Sequence, residues 1–266
     1  MTGQNIIETL FPELSSFGDS DFSRIGSDRP TLMIAMTART GSSHLCSALS
    51  SVLPIGMPTE LFNARHSLVW EAKRRNVTTY ADLLADYIQE SKDILVFKTN
   101  WLDFAYFKDR VWNMFPNLKI MYLNRLDIEA QAVSLHKAVV SGDWHDAPMI
   151  KRPPNLSEEE LNKRFDLVSI CHKIFELEKE KRSWEDYFFA KQARPLRMNY
   201  ENFQLELGRS VEIIADYIGC PDIDSSSVNS DFKPISDKVN ADWLIKVRNY
   251  RNGNFYKRYK DANITL

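Results

Sequence analysis

Apolar positions along the chain fall into two kinds of segment. Four short runs are almost wholly apolar over the length of a strand: Thr31-Leu-Met-Ile-Ala-Met36, Ile94-Leu-Val-Phe97, Leu118-Lys-Ile-Met-Tyr-Leu123 and, more weakly, Pro195-Leu-Arg-Met198. Runs of this length without polar alternation predict strands buried on both faces. Between them, apolar residues recur at helical spacing. Leu45, Ala48, Leu49 and Val52 predict a helix directly after the first strand. Asp127 is placed to cap a helix through Val140, with Gly142 at its end, and Leu207, Val211, Ile214 and Ile218 mark another, stopped by Gly219 and Pro221. Ser157-Glu-Glu-Glu160 reads as a capping box opening a long helix with Leu161, Phe165 and Val168 on its inner face. Strands alternating with helices predict an α/β fold, a single domain over residues 1–266 with a central parallel sheet flanked by helices. Residues 1–29 are polar and weakly periodic and read as a short helix and an arm. The Pro-rich stretch 141–155 reads as a mobile loop over a site.

Composition narrows the class. The 266 residues carry 34 Lys+Arg against 36 Asp+Glu, a formal net charge of −2, and are 44% hydrophobic with only 9 Gly and 11 Pro. That excludes collagenous, low-complexity and mostly disordered chains, and the charge balance argues against a nucleic-acid partner. Cys46, Cys171 and Cys220 are odd in number and form no CxxC pair, so neither a disulfide framework nor a zinc site is expected. The N-terminus lacks the basic and unbroken apolar regions of a signal peptide. The longest uncharged run, Thr40 to Thr59, is broken by Gly41, Pro54, Gly56 and Pro58 and is no membrane span. The expectation is a cytoplasmic protein that is not integral to a membrane.

The join between the first strand and its helix, Thr37-Ala-Arg-Thr-Gly-Ser-Ser43, holds the most chemistry. A glycine-containing loop at a helix N-terminus presents backbone N–H groups and the positive end of the helix dipole to one point, which suits phosphate or sulfate. Arg39 adds a fixed charge, and Thr40, Ser42 and Ser43 add hydroxyls. The patterns G-x-x-x-x-G-K-[ST] and G-x-G-x-x-G are both absent. On the loop alone, a plain strand–turn–helix join capped by serines fits as well as an anion site.

Three segments in order change that balance: ARTGSSHL at 38–45, YLNRLDIEAQAVSLHKA at 122–138 and LRMNYENF at 196–203. Together they resemble the nucleotide-contact segments of the PAPS-dependent sulfotransferases, and most of all the bacterial trehalose 2-sulfotransferase group. That group has an R-[ST]-G-S-[ST] loop, a Pro-x-Glu before an aromatic, and an Arg followed by QAVSL. Here these read Arg39 to Ser43, Pro58-Thr-Glu-Leu-Phe62, and Arg125 followed by Gln131-Ala-Val-Ser-Leu135. The resemblance implies a P-loop-like phosphosulfate-binding loop after the first strand, made by Arg39, Thr40, Gly41, Ser42, Ser43 and His44. It implies that Arg125 and Ser134 hold the 3′-phosphate and that Tyr200 lies against the adenine, so PAPS is the co-substrate and PAP the product. A guanidinium fork suits a terminal phosphate better than an ammonium does.

Sulfuryl transfer to an alcohol needs a base near the acceptor hydroxyl and donors at the leaving phosphate. In many animal sulfotransferases the base is a His two residues after a Lys on the second strand. Here that stretch is Val96-Phe-Lys-Thr-Asn100, so the His is replaced by Asn100. In the trehalose group the base is the Glu shortly after the loop helix, which matches Glu60. Lys98 either steadies the departing oxygen or pairs with an acid at the sheet edge. Trp101 and Trp144 are the aromatics retained as candidates for a saccharide face. No histidine pair has zinc-motif spacing, and no metal is expected. The implied activity is transfer of a sulfuryl group to a hydroxyl of a carbohydrate or glycolipid by in-line displacement, in a protein that the group's habit implies to be a homodimer. A kinase-like phosphotransferase and a non-catalytic nucleotide-binding protein of the same fold stay open as alternatives. The first lacks a P-loop lysine and an evident acidic strand end.

Overall fold

The computed structural model describes residues 3–64, 67–144, 156–232 and 237–252. Its centre is a four-stranded sheet in the order β2-β1-β3-β4, with β1 Thr31–Met36, β2 Leu95–Asn100, β3 Leu118–Asn124 and β4 Leu196–Asn199. Every pairing is parallel, with Thr31 opposite Leu95 on one side and Leu118 on the other, and Met121 opposite Leu196. β1 is buried along its whole length, as its unbroken apolar run requires.

Alternation along the strands sorts the core into two layers. Met33, Ala35, Leu95, Phe97, Leu118, Ile120 and Tyr122 face one way, onto the Tyr80–Glu90 and Leu167–Ala190 helices. Leu32, Ile34, Met36, Val96, Met121 and Leu123 face the other, onto Ser42–Val52 and Leu207–Ile218. A third cluster joins Ile128–Ser141 to the Leu167–Ala190 and Lys238–Asn252 helices around the fully buried Trp243. Among the described residues no helix is long and apolar enough to cross a membrane.

Local signals set most boundaries. Asp127 caps Ile128–Ser141 by accepting from the Ala130 N–H, and Gly142 ends that helix in the left-handed conformation. Gly219 ends Leu207–Ile218 the same way. The capping box at Ser157 forms, but it opens only Glu158–Asn162. Asp166 then caps a new helix, Leu167–Ala190, by accepting from the Ser169 N–H, and Val168 lies 45% exposed rather than inside. Two competing caps nine residues apart therefore divide what the spacing predicts as one helix. The first 29 residues are more than an arm. Ile7, Phe11, Leu14 and Phe22 are buried in the larger core, carried by a Gly3–Leu10 helix, the joint at Phe11, a 3-10 turn Pro12–Ser16 and an Asp19–Ile25 helix.

Candidate active site

β1 leaves its neighbours β2 and β3 on opposite sides, so the C-terminal edge of the sheet has its topological switch point at the loop after β1, where α/β sheets bind ligands. Residues 37–41 are strongly held there. Arg39 adopts φ +66° and Gly41 φ +75°, both left-handed. The Gln131 side-chain amide fixes the turn: its Nε2 donates to Ala38 O at 2.6 Å and to Thr37 Oγ1 at 2.8 Å. Thr40 Oγ1 donates to Thr37 O at 3.0 Å, so this hydroxyl faces inward. Gly41 is the N-cap of Ser42–Val52 and makes no side-chain cap, which leaves the first-turn N–H groups to a ligand. A Cβ at Gly41 would meet Tyr200 Cδ2 at 2.7 Å and Phe203 Cζ at 2.8 Å.

Arg39, Arg125, Ser134 and Tyr200 come together beside this loop. Arg39 Nε donates to Ser134 Oγ at 3.1 Å and Arg125 Nη1 donates to the Arg39 carbonyl at 3.2 Å. The Arg125 guanidinium lies 4.4 Å above the Tyr200 ring. Burial first, and then the like charge of Arg125, pulls the Arg39 guanidinium below its ordinary pKa, against the opposing effects of Asp143 and Tyr200. Arg125 Nε is buried with no hydrogen-bond partner. Two close cations and an orphaned donor fit an anion. The carbonyl of Arg125 accepts from Lys181 Nζ at 2.5 Å, and burial lowers the Lys181 ammonium to about 8, against Glu201 and Glu178.

The second group of residues lies at the end of β2. Lys98 projects from the same face as Val96, toward Ser42–Val52, and its Nζ donates to Ser43 Oγ at 2.8 Å while standing 3.7 Å from Glu60 Oε1. Of the two readings of Lys98, the pairing with an acid is seen, and the same ammonium also touches the first turn of the loop helix. Glu60 arrives there because its segment docks along the edge of β2. The Lys98 N–H donates to Thr59 O at 3.0 Å, and the Tyr87 hydroxyl accepts from Thr59 N at 3.3 Å and donates to Val96 O at 2.6 Å. Asn63 Nδ2 donates to Glu60 Oε2 at 2.6 Å.

Asn100, at the position where the resemblance sets the His of many animal sulfotransferases, has a local structural task. Its Oδ1 accepts from Asp103 N at 3.0 Å and its Nδ2 donates to Asp103 Oδ2 at 2.6 Å, capping the Trp101–Phe104 turn. Trp101 packs edge-on against Trp184 at 5.3 Å. Trp144 is 41% exposed, and its carbonyl accepts from Arg39 Nη1 at 2.5 Å. His44 Nδ1 lies 2.8 Å from Phe232 O, with its ring stacked on Phe203 at 5.8 Å. Of the stretch expected as an acceptor loop, 145–155 lies outside the described residues. Gln131, Asn63 and Lys181 were not singled out as site residues by sequence. Only Gln131 carried a signal, as the first residue of the QAVSL string.

The fold has relatives among solved structures. A sulfotransferase from Alicyclobacillus acidocaldarius is 16% identical, with 84% of this chain and 93% of that one covered, at a TM-score of 0.44. Mouse sulfotransferase SULT7A1, complexed with PAP, is 14% identical over 96% of this chain and 93% of its own, at 0.48. Retinol dehydratase in a complex with retinol and PAP is 15% identical over 93% and 85%, at 0.44. No curated protein matches the sequence. The profile of the Stf0 sulphotransferases, the trehalose 2-sulfotransferase family, matches residues 89–252, and this chain belongs to that family.

Proposed function

We propose that this chain transfers the sulfuryl group of PAPS to a hydroxyl of a carbohydrate or glycolipid, with Glu60 as general base and without a metal, as a cytoplasmic homodimer. The observation that carries the reading is the contact of Lys98 with both Glu60 and Ser43, which ties a carboxylate to the anion-binding loop. PAPS would supply the sulfuryl group and leave as PAP, held by the loop residues Arg39 to His44 and by Arg125, Ser134 and Tyr200. The orphaned Arg125 Nε and the side-chain-free cradle at Gly41 support that fit.

The rest of the chemistry belongs to the protein's own groups. Glu60 accepts the proton of the acceptor hydroxyl, whose oxygen then carries the electron pair that attacks sulfur. Lys98, the loop N–H groups and Arg39 donate to the oxygens on which negative charge gathers. The fixed left-handed backbone at Arg39 and Gly41 orients those donors before reaction.

Two measurements test the reading. Calorimetric titration with PAP, and in parallel with ATP and Mg²⁺, should show PAP bound far more tightly. A preference for ATP would favour phosphoryl transfer, and no binding of either would favour a scaffold. A disaccharide acceptor screen with PAPS follows, in which Glu60→Gln should lose about 10²–10⁴-fold in kcat with PAP affinity intact. Normal turnover by Glu60→Gln would remove Glu60 from the base position.

A further inference from the structure

The carboxylate of Glu60 stands on a turn, not on a helix or strand, so its position depends on what closes that turn. Asn63 closes it twice. Its backbone N–H donates to Glu60 O at 3.0 Å, and its Nδ2 donates to Glu60 Oε2 at 2.6 Å. Phe62, between them in sequence, is 1% exposed and stacks on Phe107 at 4.2 Å, which anchors the turn in the core. On the other side Thr59 is tied to β2 through Lys98 N and the Tyr87 hydroxyl. The two oxygens of Glu60 are thereby made different. Oε2 is engaged by the Asn63 amide, and Oε1 faces Lys98 Nζ at 3.7 Å. A carboxylate accepts only, so the atom of Asn63 that meets it is the N–H₂ group.

We propose that Asn63 is the positioning residue of the reaction: its amide holds Oε2 of Glu60, so that Oε1 is the oxygen that takes the proton from the acceptor hydroxyl. The O–H bond of the acceptor breaks, a new O–H bond forms at Oε1, and the electron pair stays on the attacking oxygen. The inference rests on Glu60 being the base. A freely rotating carboxylate would present either oxygen at varying distance, and a misplacement of about 1 Å costs on the order of 10²-fold in rate.

The test uses the intact protein, PAPS, and the disaccharide or glycolipid that the wild type sulfates fastest. Asn63→Ala and the near-isosteric Asn63→Asp should each lower kcat by about 10–100-fold, with KM for PAPS and PAP affinity within about twofold of wild type. Asn63→Asp keeps the volume, loses the donor and sets a second carboxylate beside Glu60, so a wild-type rate there would leave no role for the amide. In the Glu60→Gln background, Asn63→Ala should change the residual rate by less than about threefold, because its effect passes through the carboxylate. An activity-free readout is the Asn63 side-chain amide in proton NMR, which should shift downfield in the wild type and return to the ordinary range in Glu60→Ala. Wild-type kcat in Asn63→Asp, or an Asn63 amide signal unmoved by Glu60→Ala, overturns the inference while leaving Glu60 as base. Wild-type kcat in Glu60→Gln, or a wild type that sulfates neither a disaccharide nor a glycolipid, overturns the reading beneath it.

Discussion

Gly41→Ala tests the closeness of the anion loop to the wall behind it. Gly41 sits at φ +75°, where an L-residue with a Cβ pays about 1 kcal/mol in backbone strain. The new methyl would lie 2.7 and 2.8 Å from Tyr200 Cδ2 and Cε2 and 2.8 Å from Phe203 Cζ. Carbon atoms at rest are about 3.5–4.0 Å apart, so something must move. Phe203 is fully buried and cannot swing out, and Tyr200 is stacked under Arg125 at 4.4 Å. Overpacking of this kind costs about 1–3 kcal/mol. The two contributions together give about 2–4 kcal/mol, and at roughly 2 °C per kcal/mol for a chain of this size Tm should fall by about 4–8 °C. Because Tyr200 is the less confined neighbour, part of the relief should be its displacement, which would weaken PAP binding about tenfold, or about 1.4 kcal/mol. Thermal denaturation and calorimetry read both, and Tyr200→Ala in the same background should restore part of the lost stability relative to its own parent. A Gly41→Ala protein with wild-type Tm and wild-type PAP affinity would refute the contact.

Three further outcomes follow from single contacts. Arg125→Ala should weaken PAP binding by about 1.5–3 kcal/mol, the range for hydrogen bonds to a charged group, measured by calorimetry at fixed salt. Asn100→Ala should cost about 0.5–2 kcal/mol in urea unfolding through loss of the Trp101–Phe104 cap, and should leave kcat near wild type because Asn100 bonds Asp103 rather than taking a proton. Lys181 gives a pH signature. Its folded pKa of about 8 lies below the value of about 10.4 in an unfolded chain, so between these the unfolded state binds more protons and this group's contribution to stability rises with pH. The stability difference between wild type and Lys181→Met should therefore move in favour of wild type from pH 7.5 to 9.5, approximately the window those two pKa values set.

The sheet was legible because burial on both faces leaves a direct mark. Thr31–Met36 is an unbroken apolar run and becomes β1 with the same bounds. β2 starts one residue later than its apolar run and continues through Lys98, Thr99 and Asn100, because these polar residues pair with Ile34, Ala35 and Met36. No hydropathy pattern marks such residues as strand, and they are the ones that bring Lys98 and Asn100 to the site edge. The N-terminal core residues were missed: Ile7, Phe11 and Leu14 do stand at i, i+4, i+7, but the helix stops at Leu10 before Pro12, so that spacing runs across a helix end into a 3-10 turn, and Phe22 comes from a separate helix. The loop residues were legible as an anion site only in part. Composition places Thr40 among the hydroxyl donors, whereas the backbone turns its Oγ1 back onto Thr37. The meeting of Ser43, Glu60 and Lys98 is a tertiary fact, set by the docking of the Thr59 segment on the edge of β2.

The packing of the Ile128–Ser141 helix against the loop explains why the site can be both strained and stable. Arg39 is held left-handed, with a second guanidinium nearby and its own carbonyl occupied by Arg125, an arrangement that backbone preference and charge both oppose. It persists because Gln131, buried on the neighbouring helix, holds Ala38 and Thr37 from below, and Ser134 on the same helix holds the Arg39 side chain. The Ile128–Ser141 helix is itself fixed from outside. Arg248 on the Lys238–Asn252 helix reaches Asp127 at 2.7 Å and Glu129 at 3.2 Å, while Lys137 donates to Asp237 at 2.5 Å. Helix and loop are therefore tied together, and their unfavourable contributions include the pair of crowded cations and the unpartnered Arg125 Nε. An anion bound between Arg39 and Arg125 would relieve it, because it replaces like-charge repulsion with charge-assisted hydrogen bonds. On the proposed reading the same crowding would give the loop affinity for a phosphate, and the contacts of Lys98 with Ser43 and Glu60 would link that loop to the proposed base.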